Sequence, residues 1–434
     1  MKNVHFIGIG GIGVSALAKY YLSKDHKISG SDLCSSEITE ALEKKGVKIY
    51  IGLHKSENIV SEINQVIYSP AVTKDNPELK KAKELGAKVQ SYPEALGELT
   101  KEHFTIAVAG SHGKSTVAAM IGLLLEKAGF DPTVVIGTKL KEFGDSNCRV
   151  GKSEYLVIEA CEHFASFLNY WPKIIVLTTI EIDHLDFYGN LENILKAFKK
   201  FVGKLPADGI LVANEDDENI KKIVSGRNVD WYSLKNEEKE KLKKILNVPG
   251  DFNISNALAA LTVARALKIS DKVSFESLSE YKCSWRRFEV TEVLKPKPYT
   301  LIDDYGHHST QIRATLKAAR EKFPEKQIWC IFQPHQHQRT HYLFDDFVKV
   351  FRNAPVDKLI ITDIYSVAGR ETKEIKKKVS SQKLAEATNK SFVSYLPKEK
   401  IQEFLKENLK GGEVVIMMGA GDIYNISLKL RKLK

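Results

Sequence analysis

The sequence predicts an α/β protein of three domains. The first two observations that support this fold class are glycine-rich turns near residues 8 and 110, each of which lies between an apolar strand and a helical pattern. The third is a C-terminal region in which apolar strands and helices alternate. We therefore expect a Rossmann-like domain over residues 1–102 and a central P-loop ATPase domain with a parallel sheet over 103–285. A Rossmann-like α/β domain should occupy 286–434.

The first predicted strand, residues 4–7, runs directly into a glycine-rich turn, and a helical pattern follows. Asp32 ends the next strand about 20 residues after the glycines, which is the spacing of the dinucleotide-binding fingerprint. Glycines in that turn let the backbone approach phosphates, and the acid contacts a ribose or a base. The glycines are Gly8, Gly10, Gly11 and Gly13. Because this fold binds many nucleotides, the pattern does not identify the ligand.

The segment after the apolar run 105–109 has the composition of a phosphate-binding loop. It consists of Gly110, Ser111, His112, Gly113, Lys114, Ser115 and Thr116. Its glycines let backbone N–H groups point at an anion, and the following helix adds the positive end of its dipole. Lys114 can reach the β- and γ-phosphates of ATP, and the Ser115 hydroxyl can bind Mg²⁺. Val108 replaces a motif glycine, so the loop is a shortened variant; an ordinary turn, with His112 or Thr116 capping the helix, is the alternative.

Two further candidates follow strands of the central region. Glu159 ends the apolar run 155–159, and a carboxylate at that end of a strand beside a P-loop is the usual place for a Mg²⁺ contact. His184 follows the apolar run 174–177 in an acidic loop. A lone histidine is a weak signal, so His184 is either a metal or phosphate ligand or an ordinary loop residue.

The other predicted elements come from short apolar runs and helical spacing. Strands are expected over 47–51, 66–69, 87–89 and 209–212, and helices over 93–99, 191–201 and from 250 onward. Asn253 lies in the last of these helices, where it could cap the helix or reach an adenine edge. The charged run 235–244 mixes Glu with Lys at helical spacing, which favours a solvated helix.

Four apolar strands in the last third, around 299–302, 328–332, 359–362 and 414–418, each end in polar residues. A loop or capping role is the default for any one of these polar clusters. Four together indicate a ligand site, because open α/β sheets bind ligands at the carboxyl ends of their strands. Asp303, His335 and Arg339 are candidates at this edge, and the segment 285–289, with Arg287, resembles a hinge.

Composition bounds the class of protein. The 434 residues carry a net charge of +10, but the lysines are spread along the chain, so no nucleic-acid partner is expected. Neither a signal peptide nor a membrane-spanning run is evident, and five scattered cysteines suit a reducing compartment. We expect a cytoplasmic protein without membrane insertion, either monomer or dimer. The cysteines are Cys34, Cys148, Cys161, Cys283 and Cys330.

These motifs, in this order, resemble those of the Mur ligase family over essentially the whole chain. The resemblance implies a UDP-sugar-binding domain, a central ATPase domain and a mobile C-terminal domain. It implies that ATP and Mg²⁺ serve to join L-alanine to the carboxylate of UDP-N-acetylmuramate through an acyl phosphate, giving ADP and phosphate in peptidoglycan precursor synthesis. The matching segments are HFIGIGGIG with GSD, AGSHGKST, EACEHFASFL, EIDHLD, NISNALAA, RRFE, DDYGHH, FQPH and MGAGDI.

The resemblance also implies roles for single residues. Lys114 would bind the ATP phosphates, Ser115 and Glu159 would bind Mg²⁺, and His184 would hold a second metal ion. The loop 110–116 would bind ATP together with Asn253, Arg287 and Asp303. His335 and Arg339 would orient the amino acid or accept its proton. The UDP-sugar set would be Gly8, Gly10, Gly11, Gly13, Asp32 and Ser69.

The chain departs from the family pattern at Cys161, Phe252, Ser309 and Gln336, where Asp, His, Pro and Arg are usual. Phe198 stands where relatives that add later amino acids carry a carbamylated lysine, which fits an alanine-adding enzyme. The alternative within the family is a ligase that attaches a recycled murein tripeptide to the same sugar nucleotide. Outside it, the rivals are a nicotinamide oxidoreductase and a P-loop switch without ligase activity.

Overall fold

The computed structural model describes residues 2–295, 297–367 and 371–432, whose strands form sheets of five, seven and six strands. The predicted three-domain α/β fold is confirmed. The chain divides into two compact units, Met1–Ile245 with Ser255–Tyr281 and Leu246–Ile254 with Lys282–Lys434. The first two sheets lie in the first unit and the third sheet in the second. The domain boundaries 1–102, 103–285 and 286–434 stay predictions.

The first sheet is parallel, with the strand order β3-β2-β1-β4-β5. Its central strand is apolar because helices cover both faces, which buries Val4, Phe6 and Ile7. The strands are β1 Asn3–Ile7, β2 Lys27–Asp32, β3 Lys48–Ile51, β4 Gln65–Tyr68 and β5 Lys88–Ser91. The helices are α1 Ile12–Ser23, α2 Glu37–Glu43, α3 Pro77–Glu84 and α4 Tyr92–Lys101.

The second sheet places β6, the strand before the phosphate loop, between β10 and β9 in the order β12-β11-β10-β6-β9-β7-β8. It is parallel apart from the β7–β8 pair. The strands are β6 Phe104–Ala109, β7 Thr133–Leu140, β8 Ser146–Arg149, β9 Tyr155–Glu159, β10 Ile174–Leu177, β11 Ile210–Asn214 and β12 Asp230–Tyr232. The helices are α5 Lys114–Lys127, α6 Leu185–Tyr188, α7 Leu191–Val202, α8 Glu218–Val224, α9 Glu238–Ile245, α10 Asp251–Ala266 and α11 Asp271–Glu280.

Polar contacts join the first two sheets within their common unit. Lys19 on α1 donates to Asn147 Oδ1 at 2.7 Å, and the Asn147 amide donates to Ser15 Oγ at 2.9 Å. Lys139 on β7 pairs with Glu37 on α2 at 2.9 Å. Burial lowers the pKa of Lys19 to about 8, and Lys45 adds to this effect. The β7–β8 hairpin therefore packs against α1 through buried polar groups.

The third sheet has the order β13-β14-β18-β15-β16-β17. The four strands whose polar ends the sequence singled out, β14, β18, β15 and β16, are parallel neighbours, so their carboxyl ends share one edge, as predicted. The strands are β13 Glu289–Val293, β14 Tyr299–Asp304, β15 Ile328–Phe332, β16 Lys358–Ile361, β17 Val393–Tyr395 and β18 Val414–Met418. The helices are α12 Ser309–Lys322, α13 His337–Tyr342, α14 Phe344–Arg352, α15 Lys373–Lys378, α16 Ser381–Thr388, α17 Ile401–Asn408 and α18 Tyr424–Arg431.

The part of the chain that the structure describes also contains four short 3₁₀ helices, and its five cysteines are free thiols. Within residues 2–295, 297–367 and 371–432, no helix is long and apolar enough to cross a bilayer. The charged run 235–244 contributes α9, whose Leu242 is buried, in agreement with the predicted surface helix. The 3₁₀ helices are Ser56–Asn58, Lys141–Phe143, His163–Asn169 and Lys398–Lys400.

Candidate nucleotide-binding and ligation site

The phosphate loop joins β6 to α5 through two glycines with positive φ. Gly110 has φ 141° and Gly113 has φ 84°. A Cβ atom on Gly110 would overlap the Thr178 hydroxyl, and one on Gly113 would lie 2.5 Å from Asn256 Oδ1. Both positions therefore require glycine for conformation and for space. The turn brings the chain directly to Lys114 in the first turn of α5.

The loop after β10 fixes the shape of the phosphate loop. The Ser111 amide donates to Thr179 O at 2.7 Å, and the His112 amide donates to Thr179 Oγ1 at 3.1 Å. The Ser111 hydroxyl in turn accepts from the Glu181 amide at 2.8 Å. His112 Nε2 lies 3.4 Å from Glu181 Oε2. Residues 178–181 therefore hold the loop open at the carboxyl edge of the sheet.

Lys114 forms an ion pair with Glu162. Its Nζ lies 2.9 Å from Glu162 Oε2 and also donates to the Gly110 carbonyl. The Lys114 and Glu162 side chains are only 15% and 3% exposed. Burial disfavours the ammonium, but the Glu162 carboxylate outweighs it and raises the pKa of Lys114. The lysine therefore stays charged, and the phosphates of a nucleotide would compete with Glu162 for it.

His184 lies on the other side of Glu162. Its Nε2 is 3.9 Å from Glu162 Oε1 and 3.8 Å from Asp183 Oδ2. The imidazole is stacked on His163, with ring centroids 4.1 Å apart and planes 12° from parallel. His184 has φ 51°, a left-handed conformation that turns the chain into α6. Glu162 thus lies between Lys114 and the predicted ligand His184.

Glu159 ends β9 beside the phosphate-loop strand, in register with Val108. One of its carboxylate oxygens accepts a hydrogen bond from the Gly137 amide on β7. Ser115 and Thr116 are buried in the first turn of α5. Ser115 and Glu159 offer hydroxyl and carboxylate oxygens, which Mg²⁺ prefers. This donor set fits the expected ion, and His184 adds a nitrogen, which Mg²⁺ takes less readily.

In the first domain, the glycine turn closes around Asp32. The Gly10 amide donates to Asp32 Oδ2 at 2.8 Å, and a Cβ on Gly10 would lie 2.9 Å from the same oxygen. A Cβ on Gly8, which has φ 78°, would lie 3.0 Å from Ser69 Cβ. Asp32 and Ser69 therefore both border the turn made by Gly8, Gly10, Gly11 and Gly13, as the resemblance implies for a diphosphate site.

Tyr92 links this turn to the second sheet and was not singled out from the sequence. A Cβ on Gly13 would lie 2.9 Å from the Tyr92 ring. Burial raises the pKa of Tyr92, and the charge of Glu159 raises it further. Tyr92 thus lies near both the first glycine turn and a predicted metal ligand, with its phenol kept neutral.

A buried carboxylate in the first domain was also missed. Glu78 is fully buried and accepts hydrogen bonds from Ser31 at 2.6 Å and Asn58 at 2.5 Å. His54 and His5 lie 3.3 and 3.7 Å from it. Burial opposes its ionisation, but the hydrogen bonds outweigh it and lower the pKa of Glu78 to about 2. This network ties the loop after β3 to the end of β2.

In the second unit, Asp303 and Asp304 are buried at the end of β14. Asp303 pairs with Arg431, which also lies 3.2 Å from Glu289. Asp304 accepts from the Phe288 and Gly306 amides, each at 2.9 Å. Burial raises the pKa of both carboxyls, against the opposing charges of Arg431 and Arg287 respectively. Asp303 is therefore held by Arg431 in this structure.

The predicted hinge residue Arg287 lies over the Tyr305 ring, 5.0 Å from its centroid. Its neighbour Arg286 is the buried arginine, and it donates to the carbonyls of Gly419 and Gly421. Arg286 has φ 56°, a left-handed backbone conformation, and its side chain is buried. The two neighbouring arginines therefore have different roles: Arg286 fixes the loop after β18, and Arg287 borders the Asp304 carboxyl.

His335 and Arg339 lie together at the edge of the third sheet. Arg339 Nη1 is 3.1 Å from His335 Nδ1, and the His335 ring is stacked on Tyr365. Because a guanidinium only donates, Nδ1 is the acceptor and the neutral ring carries its proton on Nε2.

In the first turn of α10, Asn253 donates to Pro249 O at 2.7 Å. Gln336 has φ 71° where α13 begins.

The structure thus brings Lys114, His184 and the phosphate loop together around Glu162, which lay inside a quoted motif but was not singled out. Three Mur ligase profiles match the chain in order. They are the Mur ligase family catalytic domain over residues 3–104, the middle domain over 108–264 and the glutamate ligase domain over 286–421.

Similar proteins span nearly the whole chain. A UDP-N-acetylmuramate–L-alanine ligase from Acetivibrio thermocellus is 42% identical over 454 residues, covering 98% of this chain and 94% of the relative. One from Clostridium botulinum strain Hall is 40% identical over 450 residues, covering 98% and 96%. The solved UDP-N-acetylmuramate-alanine ligase of Thermotoga maritima matches with a TM-score of 0.81 at 25% identity, covering 100% and 99%. A murein peptide ligase from Psychrobacter arcticus shares the fold, with a TM-score of 0.72 at 21% identity over 100% and 98%.

Proposed function

The chain belongs to the Mur ligase family, and we propose that it joins L-alanine to the carboxylate of UDP-N-acetylmuramate with ATP as phosphoryl donor. The observation that carries the proposal is the phosphate loop, where two glycines with positive φ lead directly to the charged, buried Lys114. Support for the substrates comes from relatives of about 40% identity over nearly the full chain that carry this activity in their names. Such a loop binds the phosphates of ATP, which amide formation through an acyl phosphate requires.

In the first step, an oxygen of the substrate carboxylate attacks the γ-phosphorus of ATP, and ADP leaves with the bridging oxygen. Positioning and charge neutralisation carry this step. Lys114 moves from Glu162 to the β- and γ-phosphates, while the loop amides and the α5 N-terminus bind the same anion. Ser115 and Glu159 would hold Mg²⁺ and His184 a second metal ion, and bound metal would neutralise the phosphate and carboxylate charges. Glu162 keeps Lys114 charged and in place before ATP arrives.

In the second step, the neutral amine of alanine attacks the carbonyl carbon of the acyl phosphate, and phosphate leaves. As the C–N bond forms and the C–O bond to phosphate breaks, the nitrogen loses one proton to become the amide, and this proton balances the charge of the departing phosphate. Arg339 suits binding of the alanine carboxylate, because a guanidinium matches two carboxylate oxygens. His335 accepts from Arg339 at Nδ1, and its Nε2–H would help to orient the substrate. Asn253, Arg287 and Asp303 would contact the nucleotide.

The UDP portion would bind at the glycine turn of the first domain. Gly8, Gly10, Gly11 and Gly13 allow the diphosphate to approach the backbone at the start of α1. Asp32 and Ser69 border the same turn. A bound diphosphate would meet backbone amides there.

The first test measures products. Incubation with UDP-N-acetylmuramate, L-alanine, ATP and Mg²⁺ should release ADP and phosphate, and hydroxylamine should trap the activated sugar carboxylate. Release of AMP and pyrophosphate would point to an adenylate and overturn the mechanism. An NAD(P)H-dependent reaction, or nucleotide turnover without ligation, would support one of the rivals instead.

The second test distinguishes alanine from a recycled peptide. Equal concentrations of L-alanine and L-alanyl-γ-D-glutamyl-diaminopimelate compete for limiting UDP-N-acetylmuramate, and mass spectrometry reads the products. We expect mainly the alanyl product, with glycine and serine as poorer substrates through a higher KM, since one methyl group contributes about 1–3 kcal/mol. A dominant tripeptide product would refute the alanine assignment.

A further inference from the structure

Tyr92 lies at the edge of the first sheet where its strands end. It directly follows β5, whereas Asp32 ends β2 and Ser69 follows β4. Because these strands are parallel, all three residues share the carboxyl edge with the glycine turn after β1. The strand order β3-β2-β1-β4-β5 changes direction between β1 and β4, and open α/β sheets bind ligands in the crevice at such a point. Tyr92 therefore lies on the β4–β5 side of this crevice, opposite Asp32.

The two sides of the crevice would receive different parts of a sugar nucleotide. In the dinucleotide-binding arrangement, the acid after β2 contacts the ribose and the glycine turn binds the diphosphate. Asp32 accepts from the Gly10 amide at 2.8 Å, so the ribose side and the diphosphate turn adjoin each other. The group on the far end of the diphosphate would then extend over β4 and β5, toward Tyr92.

That direction also leads to the phosphate loop. Burial raises the pKa of Tyr92 and the charge of Glu159 raises it further, so the phenol lies within electrostatic range of this predicted metal ligand. Glu159 ends β9, the strand beside the one that enters the phosphate loop. A sugar that passes Tyr92 would therefore approach the place where its carboxylate must react.

The phenol of Tyr92 has a donor available for such a sugar. A Cβ on Gly13 would lie 2.9 Å from the phenol carbon Cζ and 3.0 Å from the hydroxyl oxygen. Tyr92 and Gly13 are both half-buried, so a ligand in the crevice can reach them. The Tyr92 hydroxyl makes no hydrogen bond to a residue that the structure describes, whereas Tyr188 and Tyr232 donate theirs to backbone carbonyls. A phenol keeps its proton at neutral pH and can donate it.

Helix α4 holds Tyr92 in place, because Tyr92 is its first residue. The Ser91 amide donates to Glu94 Oε2 at 2.7 Å in a capping box that fixes the start of the helix. One turn further on, α4 packs against the second domain, where a Cβ on Gly97 would overlap the Asn169 carbonyl. The phenol is thus positioned before substrate arrives, which lowers the entropy cost of binding.

We propose that Tyr92 binds the N-acetylmuramyl half of the sugar nucleotide by donating its phenol hydrogen to an oxygen of that half. The inference rests on the proposed function, since it assigns a further residue to the same substrate. Tyr92 would then help to select the sugar, and UDP alone would gain nothing from its hydroxyl. A phenol that only packs against Gly13 would serve UDP and the sugar nucleotide equally.

The test is Tyr92→Phe in the full chain, because phenylalanine keeps the ring against Gly13 and removes only the hydroxyl. Calorimetry with a non-hydrolysable ATP analogue and Mg²⁺ present measures the affinities for UDP-N-acetylmuramate and for UDP. Tyr92→Phe should bind UDP-N-acetylmuramate about tenfold more weakly, because one hydrogen bond is lost, and should bind UDP as wild type does. In turnover, the KM for UDP-N-acetylmuramate should rise by a similar factor while the KM for ATP stays unchanged.

The matched control is Tyr20→Phe, a half-buried tyrosine near the other end of α1, which should leave both affinities unchanged. Melting curves check that both variants are folded. Wild-type affinity of Tyr92→Phe for UDP-N-acetylmuramate would overturn the inference. An equal loss for UDP would also overturn it, since the hydroxyl would then act on the glycine turn alone. Failure of the wild-type protein to bind UDP-N-acetylmuramate would instead refute the proposed function, so the two failures are distinguishable.

Discussion

Replacement of Lys114 by methionine should separate folding from chemistry at the phosphate loop. The change removes the ammonium but keeps most of the side-chain volume. It leaves the Glu162 carboxylate buried, with only its more distant contacts to offset its charge. Turnover should be lost because the ATP phosphates lose their lysine. Stability without ligand should fall because a buried charge has lost its principal partner.

The structure sets the size of this effect. Breaking a buried ion pair typically costs about 3–5 kcal/mol, and the Lys114 and Glu162 side chains are 15% and 3% exposed. His184 Nε2 remains 3.9 Å from Glu162, so we expect the lower end, about 3 kcal/mol. At about 2–4 °C per kcal/mol, the melting temperature should fall by about 6–12 °C. In Lys114→Met/Glu162→Met, the two apolar side chains should restore the free energy of unfolding to within about 1 kcal/mol of wild type.

Differential scanning fluorimetry without nucleotide measures stability, and ADP release measures activity. The matched control is Lys127→Met on the same helix, because Lys127 pairs with Glu276 and Glu280 at the surface. That variant should lose at most about 1 kcal/mol and keep full turnover. A Lys114→Met protein as stable as wild type would refute the ion pair. A double variant that melts at the sum of the two single losses would refute the coupling, and turnover in either Lys114 variant would refute the lysine's role.

Two further predictions concern the glycine turn and a buried carboxylate. Gly113→Ala should abolish ATP binding because its Cβ would lie 2.5 Å from Asn256 Oδ1. The control is Gly129→Ala, where φ is 82° and the space is open; it should lower the free energy of unfolding by only about 1–2 kcal/mol and leave turnover intact. Calorimetry with ATP distinguishes the two variants. The pKa of Glu78 is about 2 in the folded chain against an ordinary 4.5, so the unfolded chain binds more protons between these values. As pH drops from 4.5 to 2, wild type should therefore lose roughly 3 kcal/mol more stability than Glu78→Gln does, whereas the exposed Glu84→Gln should follow wild type in melts across that range.

Much of the fold follows from local signals. The strands β6, β9, β10, β14, β15, β16 and β18 are short apolar runs buried on both faces, a pattern that the sequence displays directly. The hairpin β7–β8 was not predicted, because β8, with the sequence SNCR, has no apolar run. Its Ser146 and Asn147 are buried and form hydrogen bonds to Lys19 and Ser15 of the first domain. Partners so distant in the chain leave no local pattern in the sequence.

The site was predictable where a sequence motif fixes the backbone. It was less predictable where a backbone turn determines the position of a side chain. Gly110, Gly113 and Lys114 occur at the expected strand-to-helix junction. The role of Glu162 depends on a distant lysine and on the turn just after it, where Phe164 and Ala165 both have positive φ. The difference between Arg286 and Arg287 likewise depends on φ 56° at Arg286, which no spacing rule predicts.

The packing of α1 against β7–β8 fixes the distance between the two phosphate-binding loops of the first unit. Lys19, Asn147 and Ser15 join the two sheets, so the glycine turn and the phosphate loop lie in one compact body at a set separation. Under the proposed function, a sugar nucleotide whose diphosphate occupies the first must deliver its carboxylate to the second. Substrates would then be selected by reach as well as by chemical group, and replacing Asn147, which donates to the Ile12 carbonyl in the glycine turn, would loosen that separation.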